Sequence, residues 1–328
     1  MFKLKLQFFA EPSAANQTII KGATSTTGSY GGTGLMSPTL AKKFLKEINS
    51  DASYLSRLRT ETVKTKQGTI PKIGVGSRLL RSHTEGNDDI SGNEVQPTIR
   101  DLEYDNKYMT LGASITEEWL EQNIEEKGFE DTFLGLIAEQ ERVDILDLAF
   151  NGDEDVAASD PDFAFLSMND GFIKQLKETG NVVDNTTING GVFNKNVFYT
   201  LLKAVDKKYV TPKFKWHVSN NTYVDLLQTL SERGTSLGDQ MVLSGDNLKV
   251  LGYGFEIIPN MPDDIIIFAD PKNFTVTYFV KIIHKKTTEG KEAIYERKRF
   301  YATHVAADLI VQEEKAAAIL INRGTAQA

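Results

Sequence analysis

The sequence predicts an α+β fold, in which strands and helices occupy different parts of the chain. An early run of strand-forming residues is punctuated by glycines, one long helix follows it, and a short alternation of helices and strands leads into long strands near the end. Such segregation is typical of α+β proteins. With 40% AVILMFWYC residues and 25% charged residues, the 328-residue chain can bury a substantial core.

Residues 1–56 are predicted to form an N-terminal arm and a first helix. The segment 11–37 is rich in Gly, Ser and Thr and cannot bury enough apolar surface to order itself. Ser37 suits the N-cap of the following helix and Pro38 its first position. We therefore expect the arm to be flexible, or to be ordered only by its neighbours.

Residues 57–112 are predicted to form a long polar hairpin with little core of its own. Its charge is segregated: residues 57–81 carry seven basic residues and one acid (7 − 1 = +6), and residues 82–105 carry one base and seven acids (1 − 7 = −6). Two interpretations remain open. The strands pair with their opposite charges facing, or the arm docks on a neighbouring subunit. The candidate contact residues are Arg57, Arg59, Lys64, Lys66, Lys72, Arg78, Arg81, Glu85, Asp88, Asp89 and Glu94.

A long helix is predicted over residues 129–150. Phe133 and Ile137 fall on one side of it and Ile145 and Ala149 on another, so we expect the helix to be packed on two sides. The dipeptide Asn151-Gly152 ends it, and glycine at this position commonly takes the left-handed conformation. We therefore expect a helix-exit turn made by these two residues, followed by an acidic surface loop.

Alternating helices and strands are predicted from Asn194, which caps the first of these helices. Residues 265–268 form a fully apolar strand. Two long strands follow, at 274–283 and 299–306, on either side of a hairpin tip rich in Lys and Gly, and residues 316–321 give a last apolar strand. No internal repeat is present.

Composition excludes several classes of site. The chain has no cysteine, which removes disulfides, thiolate zinc sites and cysteine nucleophiles. Its four histidines are scattered, and neither HExxH nor GxSxG occurs. The net charge of −8 is unlike that of proteins that wrap nucleic acid, and no run of 18 apolar residues predicts a membrane span. We expect no enzyme activity, no cofactor, no metal and no membrane association.

The order of these parts resembles that of the major capsid proteins of tailed bacteriophages, the Hong Kong 97-type fold. The run from Glu141 to Leu176 looks like the helix exit of the branch typified by coliphage P-two. There an Arg-x-Asp pair lies on the helix, Asn-Gly ends it, and Asn-x-Gly-aromatic follows. The matching residues here are Arg142, Asp144, Asn151, Gly152, Asn169, Gly171 and Phe172.

This resemblance implies an architecture. The hairpin at 57–112 would be an extended loop lying over the adjacent subunit. Residues 113–189 would form a peripheral domain whose spine helix is 129–150. Residues 190–263 would form an axial domain, and residues 264–328 would be return strands that complete the peripheral domain.

The resemblance also implies a function and a set of partners. The chain would assemble as pentamers and hexamers into an icosahedral shell around double-stranded phage DNA, in the host cytoplasm, with a scaffolding protein and a portal, and with weak non-specific contact to the DNA. The product would be a virion capsid. Two alternatives are an encapsulin-type cellular shell protein and a soluble α/β protein that uses the basic hairpin to bind nucleic acid.

Overall fold

A computed structural model describes residues 54–74, 82, 85, 98–118, 128–231, 248–280, 283–287 and 289–326. The predicted arm before residue 54 lies outside these ranges, as do five of the candidate contact residues: Arg78, Arg81, Asp88, Asp89 and Glu94.

Strands dominate the described part of the chain. They are β1 (Arg59–Val63), β2 (Gln67–Gly74), β3 (Thr98–Asp105), β4 (Lys107–Thr116), β5 (Asn181–Asp184), β6 (Val192–Phe193), β7 (Lys215–Val218), β8 (Lys249–Val250), β9 (Tyr253–Ile257), β10 (Ile266–Ala269), β11 (Phe274–Phe279), β12 (Ile283–Thr287), β13 (Lys298–Val311), β14 (Ala317–Ile321) and β15 (Thr325–Ala326). The helices are α1 (Gly128–Asn151), α2 (Phe163–Leu166), α3 (Phe172–Thr179), α4 (Asn185–Asn189), α5 (Lys195–Ala204), α6 (Asn220–Ser231) and α7 (Lys291–Glu296).

The 14-residue strand β13 organises a five-stranded sheet. It pairs antiparallel with β4 over residues 298–307, with β12 over residues 300–304 and with β11 over residues 307–311. Strand β1 lies parallel to β11 at the far edge. The strand predicted over 274–283 corresponds to β11, while β12 begins at its last residue and continues into the predicted hairpin tip, and both strands pair with successive parts of β13.

Within the described ranges, the hairpin predicted over 57–112 is formed by β2 and β3, which pair from Gln67 opposite Asp105 to Gly74 opposite Thr98. The outer parts of the predicted range, β1 and β4, belong instead to the five-stranded sheet. Their strand-forming residues were read correctly as extended, but the pairing partners lie more than 180 residues away in sequence, where local pattern carries no information.

A six-stranded sheet, in the order β5-β14-β10-β7-β9-β8, lies between two hydrophobic cores. Along β10, Ile267 contributes to the core beneath α1 and Ile266 and Phe268 to the core beneath α5, as expected for successive side chains on opposite faces of a strand. Both faces are buried, which explains why this strand is fully apolar. The predicted boundary between residues 263 and 264 therefore passes through this sheet, because β10 and β14 pair within it beside β7.

Helix α1 extends one residue beyond each predicted end. In its last two turns Ile145, Leu148 and Ala149 are buried, whereas Val143 is 42% exposed. Phe150 packs edge-on against Phe172, with 5.6 Å between ring centroids. The C-terminal turns of α1 are thus buried in the core that also contains Ile267, whereas the side of the helix that carries Val143 is exposed to solvent.

The first helix of the αβ part begins where the sequence predicts. The Asn194 side chain accepts a hydrogen bond from the Asn196 amide at 2.9 Å and caps α5. Val197, Phe198 and Leu201 bury one side of that helix.

Among the described residues, no helix is both long enough and apolar enough to cross a membrane.

Candidate intersubunit surface

The ribbon formed by β2 and β3 has two unlike faces, because alternate residues of a strand point to opposite sides. The inner face carries half-buried and buried residues except for Arg100, which is exposed, and the Tyr104 hydroxyl lies 2.6 Å from the Thr65 hydroxyl. The outer face carries exposed residues on both strands. The inner face consists of Gly68, Ile70, Lys72, Arg100, Leu102 and Tyr104, and the outer face of Thr69, Pro71, Ile73, Ile99, Asp101 and Glu103.

The ribbon is tied to the body of its own subunit by Lys72. Its ammonium group donates to the Glu313 carboxylate at 2.8 Å and to the Gln312 carbonyl at 3.1 Å. Across the ribbon, Lys72 stands opposite Arg100. The expectation that opposite charges face each other across the strands is therefore wrong at this pair, and Lys72 finds its counter-charge on the segment after β13.

Glu313 lies at the edge of a cleft of about 670 Å³ that carries several basic side chains. Burial acts to raise the pKa of Glu313, but the hydrogen bond and charge of Lys72 outweigh it and hold that pKa below its ordinary value. Asn273 fixes the same segment, since its side chain accepts from the Glu313 amide and donates to the Glu313 carbonyl, both at 2.9 Å.

The other described candidate contact residues lie outside strands β2 and β3. Arg57 pairs with Glu256, which also accepts from Lys215 at 2.5 Å, and Arg59 donates to Glu61 at 2.8 Å and to Gln312 at 3.1 Å. Lys64 and Lys66 are exposed in the bend before β2, and Glu85 is exposed. Arg57 and Arg59 are thus engaged within the subunit.

A second exposed surface lies at the tip between β12 and β13. The sequence predicts a Lys- and Gly-rich hairpin tip there, and the structure forms α7 at this place. Ile294 and Tyr295 are 60% and 76% exposed. We define residues 290–298 as the α7 tip. Sequence analysis did not select it, although an Ile-Tyr pair among charged residues could have suggested a contact surface.

The helix-exit turn holds its position through backbone contacts and not through a left-handed glycine. The positive-φ glycines among the described residues do not include Gly152, which corrects the expectation. The Gly152 amide donates to the Leu148 carbonyl and the Gly171 amide to the Gly152 carbonyl, both at 2.9 Å. A Cβ on Gly152 would lie 2.2 Å from the Asn169 carbonyl oxygen. Glycine is required here because two backbone segments touch.

Two asparagines of the motif, Asn151 and Asn169, lie at the same junction. The Asn151 side chain donates to Asp147 at 2.6 Å and to the Asn260 carbonyl at 2.8 Å. The buried Asn169 side chain donates to Asp308 of β13 at 3.0 Å. Asp308 in turn accepts from the Asp105 amide at the end of β3, at 2.8 Å. The motif thus joins α1, β13 and the base of the ribbon, which is a structural and not a chemical role.

Two buried titratable groups, Glu141 and His217, have strongly shifted pKa values. Burial, with the charge of Asp144, raises the pKa of Glu141 to about 7; this carboxyl lines a cavity of about 150 Å³ between α1 and β4. Burial lowers the pKa of His217 to about 4, and its ring contacts Tyr54 and Phe274 edge-on. Within the described ranges, no three His, Asp or Glu side chains are grouped so that they could hold a metal ion.

The chain is similar to known capsid proteins in both sequence and structure. No protein-family model matches the chain. It is 28% identical over 320 residues to YqbE of Bacillus subtilis (strain 168), whose name assigns it to a prophage capsid, and the alignment covers 93% of this chain and 98% of YqbE. The structure is similar to that of the satellite phage P4 procapsid, with a TM-score of 0.66 at 14% identity over 92% of this chain and 94% of the other.

Over almost its whole length the chain is similar in sequence to a prophage capsid protein, and its fold is that of phage major capsid proteins. Its α+β capsid fold also matches that of Gordonia phage Cozz, with a TM-score of 0.56 at 11% identity over 84% of this chain and 86% of the other. The capsid relationship spans almost the whole chain. It favours neither the encapsulin-type nor the nucleic-acid-binding alternative.

Proposed function

We propose that this capsid protein assembles as pentamers and hexamers into an icosahedral shell of the Hong Kong 97-type, which encloses double-stranded phage DNA. The observation that carries the proposal is the capsid fold, which extends over 92% of the chain in its similarity to the P4 procapsid. The β2–β3 ribbon supports it, because the ribbon has one face exposed and too few strands to be stable alone. Such an element gains from burial against a second subunit.

Within this proposal each part of the molecule has an assembly role. The ribbon acts as the extended loop over an adjacent subunit, and α1 acts as the spine helix. The part built on α5, β7 and α6 acts as the axial domain and meets its copies around fivefold and sixfold centres. Scaffolding protein and portal are the expected partners during assembly in the host cytoplasm. The net charge of −8 is consistent with weak contact to packaged DNA, because strong attraction would hinder packing and release.

The test is the size of the particles that the purified protein forms. We expect closed shells by negative-stain electron microscopy, and pentamers or hexamers by analytical ultracentrifugation before shell closure. Stability should rise with protein concentration, since assembly adds mass-action stabilisation. A compact monomer at high concentration, even with the scaffolding protein of the same phage supplied, would contradict the proposal.

A further inference from the structure

We propose that the outer face of the β2–β3 ribbon of one subunit docks on the α7 tip of a second copy. This inference rests on the proposed assembly function and names the partner surface of the ribbon. It involves Ile73, Ile99, Asp101 and Glu103 on the ribbon, and Ile294 and Tyr295 with the neighbouring basic residues on the tip.

Exposure of large apolar side chains singles out these two places. Among the described residues, the four most exposed large apolar side chains are Tyr295 at 76%, Ile73 at 70%, Ile99 at 64% and Ile294 at 60%. Ile73 and Ile99 stand directly opposite each other in the ribbon, and Ile294 and Tyr295 are consecutive on α7. Paired apolar residues with polar surroundings are typical of contact surfaces.

Charge makes the two surfaces complementary. Asp101 and Glu103 share the outer face with the isoleucines, and within the described ranges neither carboxylate has an ion-pair partner. The α7 tip itself, residues 290–298, has three basic residues and two acids (3 − 2 = +1), and Lys298 pairs with Glu296. Lys291 lies 5.8 Å from the Tyr295 ring centroid, so positive charge stands beside the exposed apolar pair. Facing surfaces of opposite charge fix the register of a contact.

The two surfaces cannot meet within one subunit. The ribbon begins beside Asp308, to which the Asp105 amide donates, and runs toward Glu313, which Lys72 reaches. The α7 tip lies at the other end of β13, beside Lys298. At about 3.3 Å per residue, the two ends of β13 are on the order of 40 Å apart. Within the described ranges, an α7 tip that meets the ribbon face must therefore belong to a second chain. Because the two surfaces differ, the contact repeats head to tail and can close rings.

Cysteine crosslinking tests this contact, since the natural chain has no cysteine and every disulfide must join introduced residues. We would prepare one chain with Ile99→Cys and a tagged, longer chain with Tyr295→Cys, co-assemble them and oxidise mildly. Disulfides need Cβ atoms about 3.5–4.5 Å apart. The expected result is a mixed dimer of one long and one short chain, about tenfold stronger than either like-with-like dimer and dependent on assembly. The matched control pairs Ile99→Cys with Val224→Cys, another exposed apolar site (50%).

The possible outcomes separate this inference from the assembly proposal. Closed particles with a mixed dimer no stronger than the control pair would overturn the docking inference and leave the assembly proposal standing. Dominant Ile99→Cys homodimers would also overturn it, because they place two ribbon faces together, and an absence of any crosslink in particles would mean that another segment covers the face. Failure of the unmodified chain to assemble would contradict the proposed function, and the inference with it.

Discussion

Gly152 and Gly171 hold the end of α1 against the loop before α3. A Cβ on Gly171 would lie 2.9 Å from each of three backbone atoms, the Gly152 nitrogen and the Leu148 and Phe150 carbonyl oxygens. Such distances are below van der Waals contact, so either side chain would push two backbone segments apart. The Asn-Gly and Asn-x-Gly-aromatic motifs are therefore two halves of one contact.

At this residue scale we predict that Gly152→Ala destabilises the subunit by about 1–3 kcal/mol, the usual cost of overfilling a packed site. Urea unfolding of the unassembled subunit measures the change. Gly112→Ala is the matched control, because a Cβ on that β4 glycine meets nothing within 4 Å. Equal stability of the two variants would show that the loop before α3 moves aside at no cost.

Glu141 gives a second residue-scale prediction. Its carboxyl has a folded-state pKa of about 7 against an ordinary 4.5. The folded state therefore binds the proton more tightly between these values, and Glu141 reduces stability as the pH rises through them. Glu141→Gln should raise the free energy of unfolding at pH 8 by about 2–3 kcal/mol and change it little at pH 4.5.

His217 acts in the opposite direction over an overlapping range. Its pKa is about 4 when folded and 6.5 ordinarily, so the unfolded state binds the proton more tightly and stability falls as the pH drops from 6.5 to 4. Wild-type stability should thus vary little between pH 7 and 4.5, while Glu141→Gln becomes acid-sensitive. The control is Glu139→Gln, which changes an exposed carboxyl two residues before Glu141 on α1. A Glu141→Gln variant with the wild-type pH profile would rule out this account.

At the scale of the element, the ribbon is held to its subunit by a few polar contacts. Lys72 meets Glu313, and the Asp105 amide donates to Asp308 of β13 at 2.8 Å. Two-stranded ribbons are marginally stable by themselves. The strands should therefore open locally at a lower free energy than the sheets do.

We predict that Lys72→Met speeds amide hydrogen exchange in β3 by about two- to fivefold and leaves β7 unchanged. The factor corresponds to ~0.5–1 kcal/mol, which is appropriate for a partly exposed ion pair. Lys64→Met is the control, since Lys64 is exposed in the bend before β2. Mass spectrometry of the unassembled subunit measures both. Unaltered β3 exchange in Lys72→Met would mean that the apolar inner face alone holds the ribbon.

At the scale of the whole molecule, opposite charges are expected to set how subunits meet. We predict that the double reversal Asp101→Lys with Glu103→Lys lowers the yield of closed particles about tenfold or more at low salt, because like charges then face each other. Adding Lys291→Glu and Lys298→Glu should restore part of that yield. High salt should shrink both effects, since exposed charges are screened within about 10 Å at 0.1 M.

The control for this prediction carries the same change of charge elsewhere. Asp162→Lys with Glu314→Lys alters two exposed acids outside the ribbon and the α7 tip. Particle counts by electron microscopy and the melting temperature of the subunit are measured for every variant. If the control loses particles to the same extent, net charge and not the proposed contact governs assembly.

The sequence alone determined much of the element content. Helix α1 was predicted within one residue at each end, the Asn194 cap was correctly placed, and the fully apolar strand β10 was found, because periodicity, capping and burial act over a few residues. The resemblance to capsid proteins rested on motif residues. At two of them, Gly152 and Gly171, backbone contacts leave no room for a side chain. Gly152 was selected because glycine commonly ends a helix, although its conformation was predicted wrongly.

Only the tertiary structure decided which strands pair. The outer parts of the predicted hairpin belong to the five-stranded sheet, and the predicted boundary at residue 263 passes through the six-stranded sheet. Neither could be predicted, because strands that pair, such as β1 and β11, are more than 200 residues apart in sequence. The counter-charge of Lys72, the exposed Ile73–Ile99 pair and the position of the α7 tip beyond the far end of β13 depend on those pairings. A local sequence pattern indicates whether a residue is buried, charged or in a strand, whereas the long-range fold decides which residues it contacts.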